Sequence, residues 1–308
     1  MFVSRHVAAL ALFGGSTFFV AAAAAQTYTF KTYTAPNSGS TIFESTNNAG
    51  ATLAEISTSG STACSLRYGG KSTTISDPNA PPLSTVCLGV GNGNVIVGYY
   101  QAPNQPAGAS IGFSYKNGTY TDFVVPAATP AMGGTQLNAI SSNGLFAGTY
   151  SDANGFQHVF TTRGSTTSLH LINIPNQQYL LAVGVNNAGD IVVQNFGANG
   201  TTYTGSFYYT PASKSLIQIN YPNSVQNVCH DVNNSGDVAC HYADAQGLQH
   251  GFIYHGASNT YSANIDAPAS TGGTLLFGIN DSGRVVGSTT PNPQTSIRLG
   301  LVGTPSGT

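Results

Sequence analysis

The chain has no tryptophan, two methionines and few charges: 6% of its 308 residues are Asp, Glu, Lys or Arg, against about 25% in an ordinary soluble domain. Nine scattered basic residues cannot build the Lys/Arg stripe that nucleic acid requires, so a nucleic-acid partner is not expected. The shortage of charge does not signal disorder, because 41% of the residues are apolar and able to fill a core. No segment beyond residue 25 keeps its apolar residues at a 3.6-residue spacing, so no helix is expected there. Phosphate loops and dinucleotide fingerprints are missing, and so is the Gly-x-Ser-x-Gly elbow of a hydrolase. No cofactor is expected.

What is present begins with a leader. Arg5 and His6 give a weakly basic start, Val7 to Phe19 is mostly apolar, and Ala23-Ala24-Ala25 offers the small residues a signal peptidase needs. Residues 1–25 are therefore expected to be a signal peptide, 26–304 one repeat domain and 305–308 a short tail. The apolar run is interrupted by Gly14-Gly15-Ser16-Thr17, and nothing after it approaches the ~20 apolar residues of a span, so no membrane span is expected after cleavage. Losing Arg5 leaves 8 basic against 11 acidic residues, a net of about −3. The expected address is secreted, extracellular or periplasmic. Four cysteines suit that address as disulfides. Cys229 and Cys240 flank one turn almost symmetrically, and Cys64 and Cys87 then pair across neighbouring units.

The turns themselves repeat. Asn47-Asn48-Ala49-Gly50, Asn186-Asn187-Ala188-Gly189, Asn233-Asn234-Ser235-Gly236 and Asn280-Asp281-Ser282-Gly283 share one pattern, with weaker copies at Ser141-Ser142-Asn143-Gly144 and Gly91-Asn92-Gly93. Their final glycines, 50, 93, 144, 189, 236 and 283, are spaced by 43, 51, 45, 47 and 47 residues, a period that marks propellers or solenoids. Asn bonds its own backbone and Gly accepts positive φ, which is what a tight hairpin needs. Around each turn lie four short runs rich in β-branched and aromatic residues, bounded by Gly, Asn or Pro, which read as strands. Small residues after the turn (Gly98, Gly148, Ala239, Gly287) suggest close backbone approach or a bulge.

Six four-stranded units either close into a ring or stack in a line. The chain ends favour the ring. Tyr28 to Tyr33 reads as a lone fourth strand, and the last unit, Leu275 to Val302, has only three. The expected fold is all-β: a six-bladed β-propeller of four-stranded antiparallel blades, closed by the N-terminal strand joining the last blade.

Gly278-Ile279-Asn280-Asp281-Ser282-Gly283-Arg284-Val285-Val286-Gly287 and His250-Gly251-Phe252 resemble the bacterial extracellular HAF-type repeat, in which Gly-Ile-Asn-x-x-Gly-x-Ile-Val-Gly is followed by His-Gly-Phe. The likeness spans Tyr28 to Val302, loosely in the first two units. Strand order is similar to that of kelch propellers, with the strand before the turn innermost. The resemblance implies a propeller and an extracellular address; it carries no catalytic residues.

On that ordering, one face of the channel would gather Tyr99, Tyr100, Gln101, Tyr150, Asp152 and Tyr179, and unit five would add His230, His241, Tyr242 and Asp244. Tyr100, Tyr150, Tyr179 and Tyr242 are read as loop aromatics able to stack on a sugar, with Gln101 and Asp152 beside them. His230 and His241 straddle one hairpin; Asp231 or Asp244 would orient an imidazole as general base, and Tyr242 would serve as proton donor. The bland reading, that these are hydrogen-bonded strand and turn residues, is the stronger of the two. His158 and His250 recur at one repeat position and read as structural. Asp152-Ala153-Asn154-Gly155 and Asp244-Ala245-Gln246-Gly247 read as turns, since a calcium site wants six to eight oxygens. No metal site is expected.

Three functions follow in order: a module binding a glycan or small polar ligand through its aromatic loop face; an enzyme (polysaccharide lyase, hydrolase or small-molecule cyclase) using the His/Tyr/Asp set of unit five; or a structural, partner-binding protein. Whether the chain is an enzyme stays open at this point, as does its oligomeric state.

Overall fold

The computed structural model describes residues 26–306 apart from 36–38, 59–60, 82–83, 102, 104–108, 175–178, 198–199, 201, 269, 293 and 295–296. The expected leader therefore lies outside the described residues. A lone strand β1 (Tyr28–Tyr33) opens the fold. Blade one comprises β2 (Ser40–Thr46), β3 (Thr52–Thr58), β4 (Ser61–Tyr68) and β5 (Lys71–Ile75); blade two comprises β6 (Thr85–Val90), β7 (Ile96–Gln101), β8 (Ser110–Lys116) and β9 (Thr119–Phe123). Blade three follows with β10 (Thr135–Ile140), β11 (Phe146–Ser151), β12 (Gln157–Thr162) and β13 (His170–Ile172). Blade four holds β14 (Leu180–Val185), β15 (Ile191–Asn195), β16 (Gly205–Thr210) and β17 (Ser215–Ile219). Blade five holds β18 (Gln226–Val232), β19 (Asp237–Ala243), β20 (Gln249–His255) and β21 (Thr260–Tyr261). Blade six is β22 (Thr274–Ile279), β23 (Val285–Thr289) and β24 (Leu299–Pro305), completed by β1.

The six sheets are all antiparallel, each of four strands in meander order, with β1 on the outer edge of β24 in the last. Only three 3₁₀ turns interrupt the strands among the described residues. The first strands of the blades touch in a closed cycle, β2–β6–β10–β14–β18–β22 and back to β2, so the sheets form a ring with those strands innermost. The expected six-bladed propeller and its closure by the N-terminal strand are both observed.

Apolar clusters fill the gaps between blades. Ala182, Val193 and Ile191 of blade four pack against Ala147 and Val159 of blade three, and Val192, Tyr208 and Ile219 pack against Val238 and Phe252 of blade five. Residues of this kind stabilise by about 1.5–3 kcal/mol each when fully buried. Two disulfides reinforce the scaffold: Cys64–Cys87 joins blade one to blade two, and Cys229–Cys240 crosses blade five between facing residues of β18 and β19.

The turn motif explains how the inner strands are held. In four turns the first Asn caps its own hairpin: Asn47, Asn186, Asn233 and Asn280 each accept from two backbone N–H groups of their own turn at 3.0–3.1 Å. The other end of the same amide reaches the next blade. Asn186 Nδ2 donates to the Asn233 carbonyl (3.3 Å), Asn233 to Asn280 (3.2 Å), Asn280 to Asn47 (3.0 Å) and Asn47 to Gly91 (2.9 Å). One side chain thus closes a turn and ties it to its neighbour.

Every inner strand also carries a β-bulge, three residues before the first position of the turn. The register slips between Phe43 and Ser45, Cys87 and Gly89, Leu137 and Ala139, Ala182 and Gly184, Cys229 and Asp231, and Leu276 and Gly278. Opposite the bulge, a Cβ on Gly287 would lie 1.9 Å from the Leu275 carbonyl oxygen, which accounts for the small residue. Ala239 was expected to share this role. The register instead puts Cys240 there, opposite Cys229, because the bulge shifts Ala239 onto Asp231.

Candidate functional site

A bulge leaves one residue unpaired and turns its side chain out of the ladder. The six residues so placed are Glu44, Leu88, Asn138, Val183, His230 and Phe277, one per blade, and all six line a cavity of about 270 Å³ on the propeller axis. One level further from the turns, Tyr99, Gln136, Leu181 and Gln194 continue its wall. Towards the turns the axis narrows to a space of about 30 Å³ between the Asn turns, Ser45 and Asp231, room for about one water. The axis therefore has a constricted end and a chambered one.

The chamber wall alternates. Blades one, three and five contribute Glu44, Asn138 and His230; blades two, four and six contribute Leu88, Val183 and Phe277. The Asn138 side chain is 4% exposed, and its Nδ2 donates to Thr149 Oγ1 (3.4 Å) while its Oδ1 has no partner. His230 stacks on His241 with ring centroids 5.1 Å apart, and Phe277 meets both rings edge-on at 4.6 and 5.7 Å. His230 Nε2 and His241 Nδ1 are buried without partners. On the rim, Gln194 Nε2 donates to the Cys229 carbonyl (3.0 Å) and Gln136 Nε2 to Ser110 Oγ (3.3 Å), so one N–H of each amide is engaged by the protein.

Electrostatics follow from enclosure. Burial pushes the Glu44 carboxyl up to about 8, helped by Glu55 and opposed by Arg298. Burial pulls His241 down to about 4 and His230 well below its ordinary value, the latter aided by His241 itself, so both imidazoles are neutral at neutral pH. Asp231, just below the chamber, is raised to about 7 by burial even though it accepts from Ile279 N (3.2 Å) and Val232 N (2.8 Å). Ser45 does the same work in blade one, accepting from Val90 N at 3.2 Å.

The residues singled out from the sequence do not gather in one place. His230 lies in the chamber wall, with His241 behind it. Tyr242 points to the opposite side of β19, by strand alternation. There it is 8% exposed, stacked between Tyr221 (4.2 Å) and His250 (5.1 Å), with its hydroxyl on Asn264 Oδ1. Asp244 caps its own turn through Gln246 N and Leu248 N and faces His250 Nε2 at 3.4 Å. The carboxylates expected to orient His230 or His241 are thus engaged elsewhere, and the unit-five set is split between two sides of its strand.

The other aromatics expected in loops are largely strand residues. Tyr100 is 2% exposed on β7 and donates to Asp122 Oδ2 (3.1 Å); Tyr150 is 6% exposed on β11 and stacks on His158. Only Tyr179 lies outside a strand, half-buried and edge-on to Phe156. Gln101 ends β7, half-buried. Asp152 caps its turn and pairs with His158 Nε2 at 2.9 Å, a contact that holds its carboxyl below the ordinary value. His250 sits between Asp266 and Asp244, and these carboxylates raise its pKa despite burial. His255, without an evident partner in the sequence, pairs with Asp237 Oδ1 at 2.6 Å. These are structural pairs, as expected for the repeat histidines. No group of three metal-capable side chains occurs among the described residues.

The sequence reading overlooked Glu44, Leu88, Asn138, Val183 and Phe277. A signal was available: the residue three places before each turn differs in all six repeats, between positions that hardly vary in character.

No protein-family model matches the chain, and no curated protein does. Solved structures match its shape loosely. AofleA from Arthrobotrys oligospora is 13% identical over 87% of this chain and 81% of that one, with a TM-score of 0.47. A point mutant of the Aleuria aurantia lectin, in complex with Fucα1-6GlcNAc, is 12% identical over 90% of this chain and 99% of that one, with a TM-score of 0.46. TolB from Acinetobacter baumannii is 12% identical over 78% and 59%, with a TM-score of 0.45. Likeness at this level carries no ligand across. Among the described residues no helix is long and apolar enough to cross a membrane.

Proposed function

We propose that the protein is a binding module that holds a small polar ligand, such as a compact glycan unit, in the axial chamber. The observation that carries this reading is the convergence of one bulged residue from each blade on a single cavity, whose wall sets the polar residues Glu44, Asn138 and His230 between apolar neighbours. A cavity of about 270 Å³ lies just under the ~300–1,000 Å³ of drug-sized pockets, so the ligand is small. The aromatic contribution comes from Phe277 and Tyr99 rather than from Tyr100, Tyr150, Tyr179 and Tyr242. Tyr100, Tyr150 and Tyr242 support the chamber from within the blades.

The two disulfides favour work outside the cytosol, in keeping with the leader expected at residues 1–25. An enzymatic reading would retain the stacked His230–His241 pair, but among the described residues no carboxylate pairs with either ring, so binding is preferred. The test is a thermal-shift and calorimetric panel of monosaccharides, polyols and small polar metabolites on the protein and on His230→Ala and Asn138→Leu. A ligand that binds the parent and loses at least tenfold in affinity on both variants supports the reading; a panel hit indifferent to both would remove the chamber from consideration.

A further inference from the structure

The cleft between blades four and five is built differently from its counterparts, and independently of the axial chamber. The connector from β17 to β18 is a tight turn. Ser224 N donates to the Tyr221 carbonyl (3.2 Å), with Pro222 second in the turn and Asn223, at φ 61°, third, which is the type II pattern. Asn227 braces this turn from β18, accepting from Tyr221 N (3.3 Å) and donating to the Ile219 carbonyl (2.8 Å). In four other clefts the residue held this way is Ala35, Asp77, Val125 or Ala267, each donating its N–H to a threonine of the following blade. All four are buried. Tyr221 breaks that pattern with a large, half-buried ring.

The ring is fixed by its neighbours. Tyr242 stacks on it at 4.2 Å with the planes 15° apart, Phe252 lies at 4.5 Å, and Tyr261 meets it edge-on at 5.6 Å. Asn264 Oδ1 accepts from the hydroxyls of both Tyr221 (3.0 Å) and Tyr242 (3.1 Å). Blade three repeats the Tyr242–His250 stack as Tyr150–His158, but there the preceding connector supplies Val125, so no such platform forms. Tyr221 lines a groove on either side of the connector. One, of about 470 Å³, it shares with Tyr203; the other, of about 810 Å³, it shares with Tyr242 and Tyr261. The remaining walls are largely Asn, Gln, Ser and Thr, and Asp244 is the one charged residue among those described there.

We propose that the two grooves form one binding site for a neutral oligosaccharide, which crosses the connector with a sugar ring against Tyr221. A pyranose offers apolar C–H groups to an aromatic surface and hydroxyls that both donate and accept. Tyrosine, amide and hydroxyl side chains answer each of these. The turn and the stacked rings are ordered before the ligand arrives, so little conformational freedom is lost on binding. Grooves that meet at one ring suit a chain of sugars better than a single unit. An acidic polysaccharide would find no Lys or Arg in these walls and would face the Asp244 carboxylate.

Calorimetry at pH 7 with malto-, cello-, laminari-, xylo- and chito-oligosaccharides of one, two and five units, and with penta-galacturonate, tests the assignment. In at least one neutral series the pentamer should bind at least tenfold tighter than the monomer, and at least tenfold tighter than penta-galacturonate. Tyr221→Ala should weaken that pentamer at least tenfold. Should this variant fold poorly, Asn223→Ala and Gln246→Ala, at exposed positions on the larger groove, must together weaken it threefold or more at an unchanged melting temperature. Binding in no neutral series, equal affinity for monomer and pentamer, or tighter binding of a proline-rich peptide overturns the assignment. So does a loss on His230→Ala with none on Tyr221→Ala, which would move the sugar to the axial chamber.

Discussion

At the turn end of the propeller axis the polar groups of the repeats are spent on one another; three residues along the same strands, at the bulges, they are not. Asn280 uses both ends of its amide, accepting from Ser282 N and Arg284 N and donating to Asn47 O. Asn138, a few ångströms along the axis by strand rise, leaves its Oδ1 unpaired. Both are asparagines on the inner wall of the ring. The first repeats around the axis and reads as scaffold; the second departs from the repeat and reads as site. Polar satisfaction, more than residue type, separates the two.

Substitutions sharpen or break that contrast. The largest effect is expected at the scaffold end. Asn280→Ala removes four hydrogen bonds, including one from Ser282 Oγ, and should cost about 2–4 kcal/mol at roughly 1 kcal/mol each. Denaturant unfolding measures it, and a loss under about 0.5 kcal/mol would show the turn ring to be ornamental.

Next is the pH response of the chamber. Glu44 titrates near 8 when folded and near 4.5 when unfolded, so the folded state binds more protons between those values. Its contribution to stability is intact below about pH 4.5 and is lost as pH rises towards 8. Glu44→Gln should therefore gain on the parent protein across that window, by a few degrees in melting temperature at pH 8 and by nothing at pH 4. Asp231, His230 and His241 titrate in both proteins and cancel from the difference. A constant offset between the two melting curves with pH would contradict the enclosed carboxyl.

A smaller effect of opposite sign to the first is expected at Asn138→Leu, which removes the orphaned oxygen and should raise stability by about 1 kcal/mol, read from the same denaturant curves. Stability that falls instead would mean that the amide is needed by the fold. Smallest is Asn234→Ala. Asn234 accepts from Asn187 N (2.8 Å) and donates to Ser142 Oγ (2.9 Å) and Asp281 Oδ2 (2.7 Å) at the exposed end of the turn ring, where water substitutes for the lost partners, so less than about 0.5 kcal/mol should be lost.

Much of this architecture was legible in the sequence because it repeats. The Asn-Asn-x-Gly turns encode their own hairpins, and their spacing with the unmatched strand Tyr28 to Tyr33 fixes six blades and a closed ring. The disulfides followed from the positions of Cys229 and Cys240 about a turn, with Cys64 and Cys87 left to pair. The site was harder to read. Tyr150 and Tyr242 stand next to Asp-x-x-Gly turns and Tyr100 next to a Pro-containing stretch, and so resemble loop residues in the sequence; all three are buried strand residues. The bulge was the hidden variable. An extra residue reverses the inside–outside alternation, so a period-two reading carried across Glu44 or His230 assigns the wrong face to everything on one side of it.

The pairing of Tyr28–Tyr33 with Leu299–Pro305 joins distant parts of the chain, and beside it Thr29 and Ser306, 277 positions apart, meet through their side-chain hydroxyls. Among the described strands β1 is thus the one that waits longest for its neighbour, and closure of the ring requires β24 to be in place. During that wait β24 presents a bare edge, and the leading strand of another copy fits it as well as its own does. Crowded refolding should consequently yield strand-exchanged dimers, each ring clasped by the other's front end.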